Sequence, residues 1–273
     1  MCLGSVGKVG VLIITIDFSW PSLVYTLASL NQSTPSQQNP PMPMTSISRG
    51  PLLVLDHIIL ATLHLEATAA QLEADWGTTF SGGGQHLGFG THNKVMRLDA
   101  SADHAQDGGE NTSRLLYLEL IAPDPSQPTP AQPRLFDLDN PELQDRFSEK
   151  PRLIHYAARC SNMPWALAQC GYNPGVPTAM SRGTLSWTIT LPPNRKPASP
   201  VLPTLIEWPD MDAHPAVAMP ASGVSMPFFS VAAPPEILAI IRATGLQIIP
   251  AASPATLMRA ELATPNGLRV FGN

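Results

Sequence analysis

The sequence predicts an α+β protein built from repeated βαβββ modules that form open, curved mixed sheets, with a third, βαβββ-like module at its C-terminal end. Three observations predict this class. The order strand, helix, glycine, further strands occurs three times between residues 52 and 273. Thirty prolines, about twice the average usage of ~5%, disfavour long helices. The apolar share of 44% is that of a globular chain rather than a disordered one.

The first module, over residues 51–150, begins with the apolar strand 52–61 (LLVLDHIILA). A helix follows over residues 65–76, where apolar side chains recur at helical spacing, and Gly77 ends it. The remaining predicted elements are a short strand at 78–80, a glycine-rich loop at 81–90, a strand at 93–98, a polar loop at 100–113 and a strand at 114–122.

The second and third modules repeat this order over residues 151–222 and 223–273. The second is predicted to contain a strand at 153–159, a helix at 163–170 ended by Gly171, and strands at 184–191 and 203–208. The third is predicted to contain a strand at 224–231, a helix at 235–244 ended by Gly245, and strands at 246–250, 256–263 and 267–271.

Residues 1–50 are expected to be a disordered or poorly packed extension. The apolar run at 9–31 could be a signal peptide, an anchor or a packed helix, but Asp17 and Pro21 interrupt it. An acidic residue at the centre of a membrane helix costs about 2.5–3.5 kcal/mol, so stable insertion is not expected. The polar, proline-rich stretch at 32–50 reads as a linker.

Charge and cysteine content exclude some functions. A net charge of −5 shows no basic surface of the kind that nucleic-acid binding leaves. Cys2, Cys160 and Cys170 form neither an even disulfide framework nor a paired CxxC metal signature. Reduced thiols and a cytoplasmic location are therefore expected.

Two pairs of polar residues fall in matching register in the first two modules. His57 and His155 lie in the opening strands, and Glu119 and Glu207 in the closing strands. Two imidazoles and two carboxylates converging in a cleft would suit a divalent ion: zinc, nickel, cobalt, manganese or ferrous iron. The alternative is a core histidine and a solvent-facing glutamate in each module. The third module has neither residue type at these positions, so a structural role is expected.

The segment at 82–93 (GGGQHLGFGTHN) could form the rim of this cleft. We expect His86, Thr91 and Asn93 to contact a substrate; a plain surface turn is the alternative. The segment lacks the lysine and hydroxyl of a phosphate loop. Trp208 could line the same cleft or simply pack beside it. Two arginines, Arg159 and Arg182, are candidates for holding an anionic group of a substrate.

Several segments resemble the glyoxalase-like branch of the vicinal oxygen chelate superfamily over about residues 53–230. They are LDHIILA, GGGQHLGFGTHN, YLELIAPDP, MSRGTLSW and LIEWPDMDAHPA. The resemblance implies two βαβββ modules around a divalent metal, with ligands from the first and last strand of each. These would be His57, Glu119, His155 and Glu207. It also implies polarisation of the metal-bound oxygens of a substrate, as in isomerisation, epimerisation, ring-cleaving dioxygenation or thiol addition.

The expected function is therefore that of a metal-dependent enzyme of the lyase, isomerase or dioxygenase type, acting on a small oxygenated substrate. Glu207, or else Glu119, would act as the catalytic base. The alternative is a non-enzymatic protein that binds or sequesters a small molecule in the same cleft. An interaction scaffold is a third hypothesis, and a homodimer is a possible assembly.

Overall fold

The computed structural model describes residues 52–100 and 115–273. The predictions for the N-terminal extension and for all but the first residue of the polar loop at 100–113 lie outside the described residues. Within the described ranges, no helix is both long and apolar enough to cross a membrane.

The order of elements agrees with the three predicted modules. The first contains β1 (Val54–Ala61), α1 (Leu65–Trp76), β2 (Gly82–His86), β3 (Thr91–Leu98) and β4 (Leu116–Pro123). A 3-10 helix (Leu135–Asp137) and α2 (Pro141–Phe147) follow. The second contains β5 (Arg152–Arg159), α3 (Met163–Gln169), β6 (Val176–Arg182), β7 (Leu185–Leu191) and β8 (Thr204–Glu207), then a 3-10 helix (Met211–Ala213) and α4 (Pro215–Ala218). The third contains β9 (Ser225–Ala233), α5 (Pro235–Ala243), β10 (Ile249–Ala252), β11 (Leu257–Thr264) and β12 (Gly267–Gly272).

The first two modules share one mixed sheet of eight strands in the order β2-β3-β4-β1-β5-β8-β7-β6. In each module the first strand pairs parallel with the last, β1 with β4 and β5 with β8. The modules join through the antiparallel pair of β1 and β5. Arg182, at the end of edge strand β6, reaches Asn93 on β3, so the two edges of the sheet approach each other and the sheet is curved.

The two faces of this sheet carry different side chains, because successive residues of a strand point to opposite sides. On β4, Leu118 and Leu120 pack into the core beneath the helices, together with Trp76 of α1. Tyr117 and Ile121 of the same strand belong to the apolar cluster on the other, concave face. Glu119 lies between them in sequence and therefore also points into the concave side.

The third module forms its own four-stranded sheet in the order β10-β9-β11-β12. Its element order is the predicted one, but its pairing differs from that of the first two modules. Here the first strand, β9, pairs parallel with β10, the strand that follows it, and antiparallel with β11. Phe229 of β9 packs edge-on against Tyr156 of β5, with ring centroids 5.2 Å apart. The module therefore packs on the convex face of the large sheet, away from the cleft.

The glycine-rich segment of the first module is a strand where a loop was predicted. The short strand predicted at 78–80 is not formed: these residues connect α1 to β2, and the backbone N–H of Phe80 donates to Glu73 Oε1 at 2.8 Å. Gly82–His86 pairs with β3 as edge strand β2. At Gly83 the backbone has φ +130°, and a Cβ atom there would lie 2.1 Å from the carbonyl oxygen of Asn93. Glycine is therefore needed for this close pairing of β2 with β3.

Candidate functional site

Two β-bulges place the two strand histidines. The central strands β1 and β5 each contain one extra residue, at Asp56 and at Ile154. The residue after each bulge is a histidine, His57 in β1 and His155 in β5. The bulges are symmetric about the junction of the two modules, so the two histidines occupy equivalent positions. Their predicted common register is confirmed.

The closing strands have a different register from the predicted one. Glu119 of β4 lies opposite Ile59, two residues after the first histidine. Thr204 of β8 lies opposite Ala157, two residues after the second histidine. Thr204 is therefore the structural counterpart of Glu119. Glu207 lies three residues further along β8, and an odd shift turns its side chain to the opposite face of the sheet.

Glu207 is thus placed away from the expected four-residue cluster, and His155, although equivalent to His57, has both ring nitrogens hydrogen-bonded within the second module. Glu207 Oε1 accepts a hydrogen bond from the backbone N–H of Met163 at 3.1 Å, at the start of α3 on the convex side. The ring of His155 donates from Nδ1 to the carbonyl oxygen of Pro200 at 3.2 Å and accepts from the Thr204 hydroxyl at Nε2 at 3.0 Å. Burial lowers the pKa of His155 to about 4, so its imidazole is neutral at neutral pH.

The concave face contains a narrow cleft that is open to solvent. The first module supplies most of its polar side chains, His57, His86, Asn93, Tyr117 and Glu119, together with apolar Val95, Leu135 and Phe136. The second module lines it with Arg182 and with apolar side chains: Met180, Leu185, Trp187, Ile189, Ile206 and Trp208. The two halves of the cleft therefore differ in chemistry although they share one fold.

His57 is held by a buried aspartate that the motif analysis did not single out. Asp56, fully buried, accepts from His57 Nδ1 at 2.7 Å, from Trp208 Nε1 at 3.0 Å and from His214 Nε2 at 3.1 Å. Burial alone would raise the pKa of Asp56, but the hydrogen bonds from His214 and His57 hold it well below its usual range. Asp56 is therefore ionised, and it fixes the ring of His57 with Nε2 toward the cleft.

Asn93 connects Glu119 to three other groups of the cleft. Its Nδ2 donates to Glu119 Oε1 at 2.5 Å and lies 3.3 Å from His86 Nε2. Its Oδ1 accepts from the backbone N–H of Gly84 at 3.1 Å and from Arg182 Nη1 at 2.8 Å. With both donors and both acceptor positions used, the orientation of this amide is fixed. Glu119 is fixed with it, and its Oε2 lies 3.6 Å from His57 Nε2.

His86 is a neutral member of the cleft wall. Burial lowers its pKa to about 4, and its Nδ1 lies 2.9 Å from Thr91 Oγ1. The Asn93 amide donates to the other ring nitrogen, so His86 carries its proton on Nδ1 and donates to Thr91. His86, Asn93 and Trp208 line the cleft, as expected of substrate-contacting residues. Thr91 lies fully buried behind His86 and can act on a substrate only through that ring.

Arg159 and Arg182 have different environments. Arg159 donates to the carbonyl oxygens of Leu55 and Leu115, and its Nη1 lies 3.8 Å from Asp56 Oδ2. It belongs to the buried support of Asp56. Arg182 lines the cleft itself.

The sequence signal that could have identified Asp56 is its place beside His57 in an otherwise apolar strand.

The side chains of the cleft do not fit the expected metal ion. Of the four predicted ligands, His57 and Glu119 face each other in the cleft, Glu207 lies on the opposite face, and both ring nitrogens of His155 are hydrogen-bonded within the second module. Across residues 52–100 and 115–273, no group of three or more His, Cys, Asp or Glu side chains is placed to hold a metal ion.

Comparison with known proteins identifies a family. A family model described as a glyoxalase-like domain matches residues 55–240, which is more than half of the chain. This confirms the resemblance seen in the sequence. A search of curated proteins finds no match to this chain.

Similar solved structures are distant in sequence. A methylmalonyl-CoA epimerase from Streptomyces coelicolor is 15% identical, with a TM-score of 0.36, and the match covers 58% of this chain and 99% of that one. The epimerase from Mycobacterium tuberculosis is 18% identical, with a TM-score of 0.35 and 60% and 95% covered. A hypothetical protein from Staphylococcus aureus is 14% identical, with a TM-score of 0.44 and 81% and 85% covered.

Proposed function

Since the chain belongs to the glyoxalase-like domain family, we propose that it is an enzyme of the isomerase or lyase type that moves a proton on a small oxygenated substrate bound in the cleft. The observation that carries the proposal is the pair formed by His57 Nε2 and Glu119 Oε2, 3.6 Å apart. Both side chains are buried, and both face the cleft. Two such groups can remove a proton from a substrate and stabilise the charge that results.

Glu119 is the proposed base. Asn93 holds its Oε1, and no described residue donates a hydrogen bond to Oε2, which is therefore available to a substrate. It would take a proton from a carbon next to a carbonyl or carboxyl group, leaving an enolate. In this step His57 would carry a proton on both ring nitrogens, so that Nδ1 donates to Asp56 and Nε2 donates a hydrogen bond to the enolate oxygen, where negative charge develops. Return of the proton, to either face, gives an isomer, and loss of a neighbouring group gives a lyase product.

Asp56 is the proposed positioning residue for His57. Its carboxylate accepts from Nδ1, which leaves Nε2 as the ring atom that exchanges a proton with the substrate or with Glu119. Because Asp56 is itself held by Trp208 and His214, this orientation does not depend on solvent. A segment of the second module thus supports a histidine of the first.

No step of this proposal passes through a divalent metal, because the donors that strand β8 was expected to supply do not face the cleft. Ring-cleaving dioxygenation needs a redox metal held by several protein ligands, and the donors in the cleft do not favour it. The role assigned to Glu207 from the sequence passes to Glu119.

Binding without catalysis is the second candidate function. The observation that favours it is the apolar wall of the second module, in which Trp187 and Trp208 lie with ring centroids 5.8 Å apart. Such a wall would hold the body of a small molecule whether or not a proton moves. A homodimer and a cytoplasmic location also stay predictions, to be tested by light scattering and by fractionation.

Proton exchange with solvent tests the proposal directly. The protein is incubated in D2O with a panel of small 2-hydroxy and 2-keto carboxylates and their esters, and proton NMR follows the loss of the signal of the C–H next to the carbonyl group. We expect exchange with at least one compound and its loss in Glu119→Gln. The matched control is Glu207→Gln, a closing-strand glutamate on the opposite face, which should exchange as the wild type does. Equal exchange by Glu119→Gln and wild type would refute the role of Glu119, and binding without exchange would favour the second function.

A further inference from the structure

The cleft contains a guanidinium without a protein carboxylate. Arg182 Nη1 donates to the neutral Asn93 Oδ1 at 2.8 Å, and no carboxylate of the described residues lies within 4.0 Å of its side-chain nitrogens. A guanidinium has five N–H donors, so most of them stay available. Arg182 is half-buried at the cleft, so these N–H groups can be offered to a ligand that enters it. The ligand group that complements these donors best is an anion.

Gly84 leaves room for the Arg182 side chain to reach the cleft. Arg182 ends strand β6 and crosses the gap to β2, where its Cδ passes over Gly84. A Cβ atom on Gly84 would lie 3.0 Å from that Cδ, and the backbone there has φ +147°. Any larger residue at this position would strain the backbone and force the Arg182 side chain to shift. The sheet edge is therefore shaped to let Arg182 enter the cleft.

One amide separates Arg182 from the proposed base. Asn93 accepts from Arg182 through Oδ1 and donates to Glu119 through Nδ2 at 2.5 Å. An anionic group bound by Arg182 would lie beside this amide. The atom attached to that group would then lie next to Glu119. For a carboxylate ligand, the attached atom is its α-carbon.

The wall of the cleft formed by the second module determines which group on the α-carbon of a ligand would fit. Strand register makes Ile189 of the second module the counterpart of Asn93, because each lies opposite an equivalent isoleucine of the closing strand. By the same count along the outer hairpins, Met180 is the counterpart of His86. Where the first module presents an amide and an imidazole, the second presents hydrocarbon and a thioether. A ligand that spans both halves has one polar end and one apolar side.

We propose that the substrate is a small carboxylate with an apolar group on its α-carbon, bound through its carboxylate by Arg182 and through the apolar group by the wall of the second module. This rests on the proposed function, since it places the α-carbon against Glu119. A planar guanidinium matches a carboxylate with two parallel hydrogen bonds. A phosphate monoester carries more charge than one guanidinium neutralises, so it is a competing outcome of the test.

The test compares a carboxylate with its neutral amide and with a phosphate monoester that has a similar apolar group. The probes are 2-hydroxy-4-methylpentanoate, its neutral amide and isopentyl phosphate, titrated into the full-length protein by calorimetry. We expect the carboxylate to bind about tenfold or more tightly than the amide, because a charge-assisted pair is stronger than a neutral hydrogen bond. Arg182→Gln should remove this preference and leave amide binding within about twofold. The control is Arg146→Gln, at a second cavity separate from the cleft, and it should keep the preference.

Several results would overturn the inference. They are equal affinity of the wild type for carboxylate and amide, a loss of preference in Arg146→Gln, tighter binding of the phosphate, and no binding of the carboxylate at millimolar concentration. Glu119→Gln separates this inference from the proposed function. If carboxylate binding depends on Arg182 in both backgrounds but no compound exchanges its proton, the ligand class stands and the catalysis fails. If exchange occurs with the same KM in Arg182→Gln, the catalysis stands and the ligand class is wrong.

Discussion

Replacing Asp56 by asparagine removes the buried negative charge that orients His57 in the cleft. Three donors converge on this carboxylate, from His57 at 2.7 Å, Trp208 at 3.0 Å and His214 at 3.1 Å. An asparagine can keep its oxygen toward Trp208 and His214, but its NH2 group then faces His57 Nδ1. The imidazole must move its proton to Nε2, and the ring that was fixed as a donor to Asp56 becomes an acceptor.

The size of the effect follows from the burial of the pair. A hydrogen bond to a charged group contributes about 1.5–3 kcal/mol, and removing one partner of a buried charged pair costs about 3–5 kcal/mol. The asparagine oxygen can still accept from two donors. The substitution therefore removes the hydrogen bond from His57 and the negative charge that lies 3.8 Å from Arg159 Nη1. We therefore expect the free energy of unfolding to fall by about 3–5 kcal/mol, which lowers Tm by roughly 6–20 °C for a domain of this size.

Urea unfolding at several pH values measures both the loss and its cause. The hydrogen bonds hold the pKa of Asp56 low in the folded state, so the unfolded chain takes up this proton first, near pH ~4. The stabilisation by Asp56 is present above that pH and decreases as the pH falls below it. The difference between wild type and Asp56→Asn should be constant from neutral pH down to about pH 5 and shrink below pH ~4.

A matched control is Asp145→Asn on α2, where the carboxylate is exposed. It should change the free energy of unfolding by less than about 0.5 kcal/mol. If Asp56→Asn changed the free energy of unfolding as little as this control, or if its loss of stability grew as the pH fell below 4, Asp56 would not be the ionised acceptor of these three hydrogen bonds.

Two further predictions concern His155 and Gly84. Burial lowers the pKa of His155 to about 4, so the unfolded chain takes up its proton first and the free energy of unfolding falls as the pH drops from about 6.5 toward 4. His155→Gln should remove about 3 kcal/mol of that fall. Urea unfolding at pH ~6.5 and pH ~4 measures the difference. An unchanged pH slope would contradict the neutral imidazole. Gly84→Ala should displace Arg182 and weaken carboxylate binding about tenfold, whereas Gly88→Ala, which also has positive φ but has nothing within 4 Å of its Cβ, should not. Equal effects of the two on binding would refute the packing argument.

Local patterns in the sequence were sufficient for the helix that follows the first strand of each module and for most strands, but α2, α4 and β6 were not predicted. Helix α1 spans the predicted residues 65–76, and Gly77 ends it with φ +72° and a hydrogen bond to Glu73 O. These features depend on neighbours within a few positions. The strand at Gly82–His86 was missed because glycine gives no side-chain alternation to count. What makes it a strand is its pairing with β3, a contact made across the hairpin.

The candidate site was half predictable for a similar reason. His57 and Glu119 lie in long apolar strands, where alternation fixes the face of each side chain. Strand β8 has four residues, and a connection with no alternating pattern precedes it, so its register could not be counted from the sequence. Aligning the two glutamates there shifted β8 by an odd number of residues. The role of Asp56 depends on Trp208 and His214, about 150 residues away, which no local pattern joins to it.

Thr204→Glu tests the corrected register and the metal argument together. If Thr204 is the counterpart of Glu119, a glutamate at this position would lie beside His155, whose Nε2 is now 3.0 Å from the Thr204 hydroxyl. Two imidazoles and two carboxylates would then face the cleft from symmetric positions, the donor set that suits zinc or a similar ion. Without metal, the added buried carboxylate should destabilise the protein by several kcal/mol, about as other unpaired buried charges do.

Adding zinc should recover much of that loss, because a ligand that binds only the folded state stabilises it by about 2.7 kcal/mol at one hundred times its Kd. The measurement is Tm with and without zinc for wild type, Thr204→Glu and Thr204→Gln, the last being the uncharged control of the same size. We expect a zinc-dependent rise in Thr204→Glu and little change in the other two. A folded Thr204→Glu that ignores zinc would place Thr204 elsewhere, and a wild type that gains as much would show that its present donors already hold a metal.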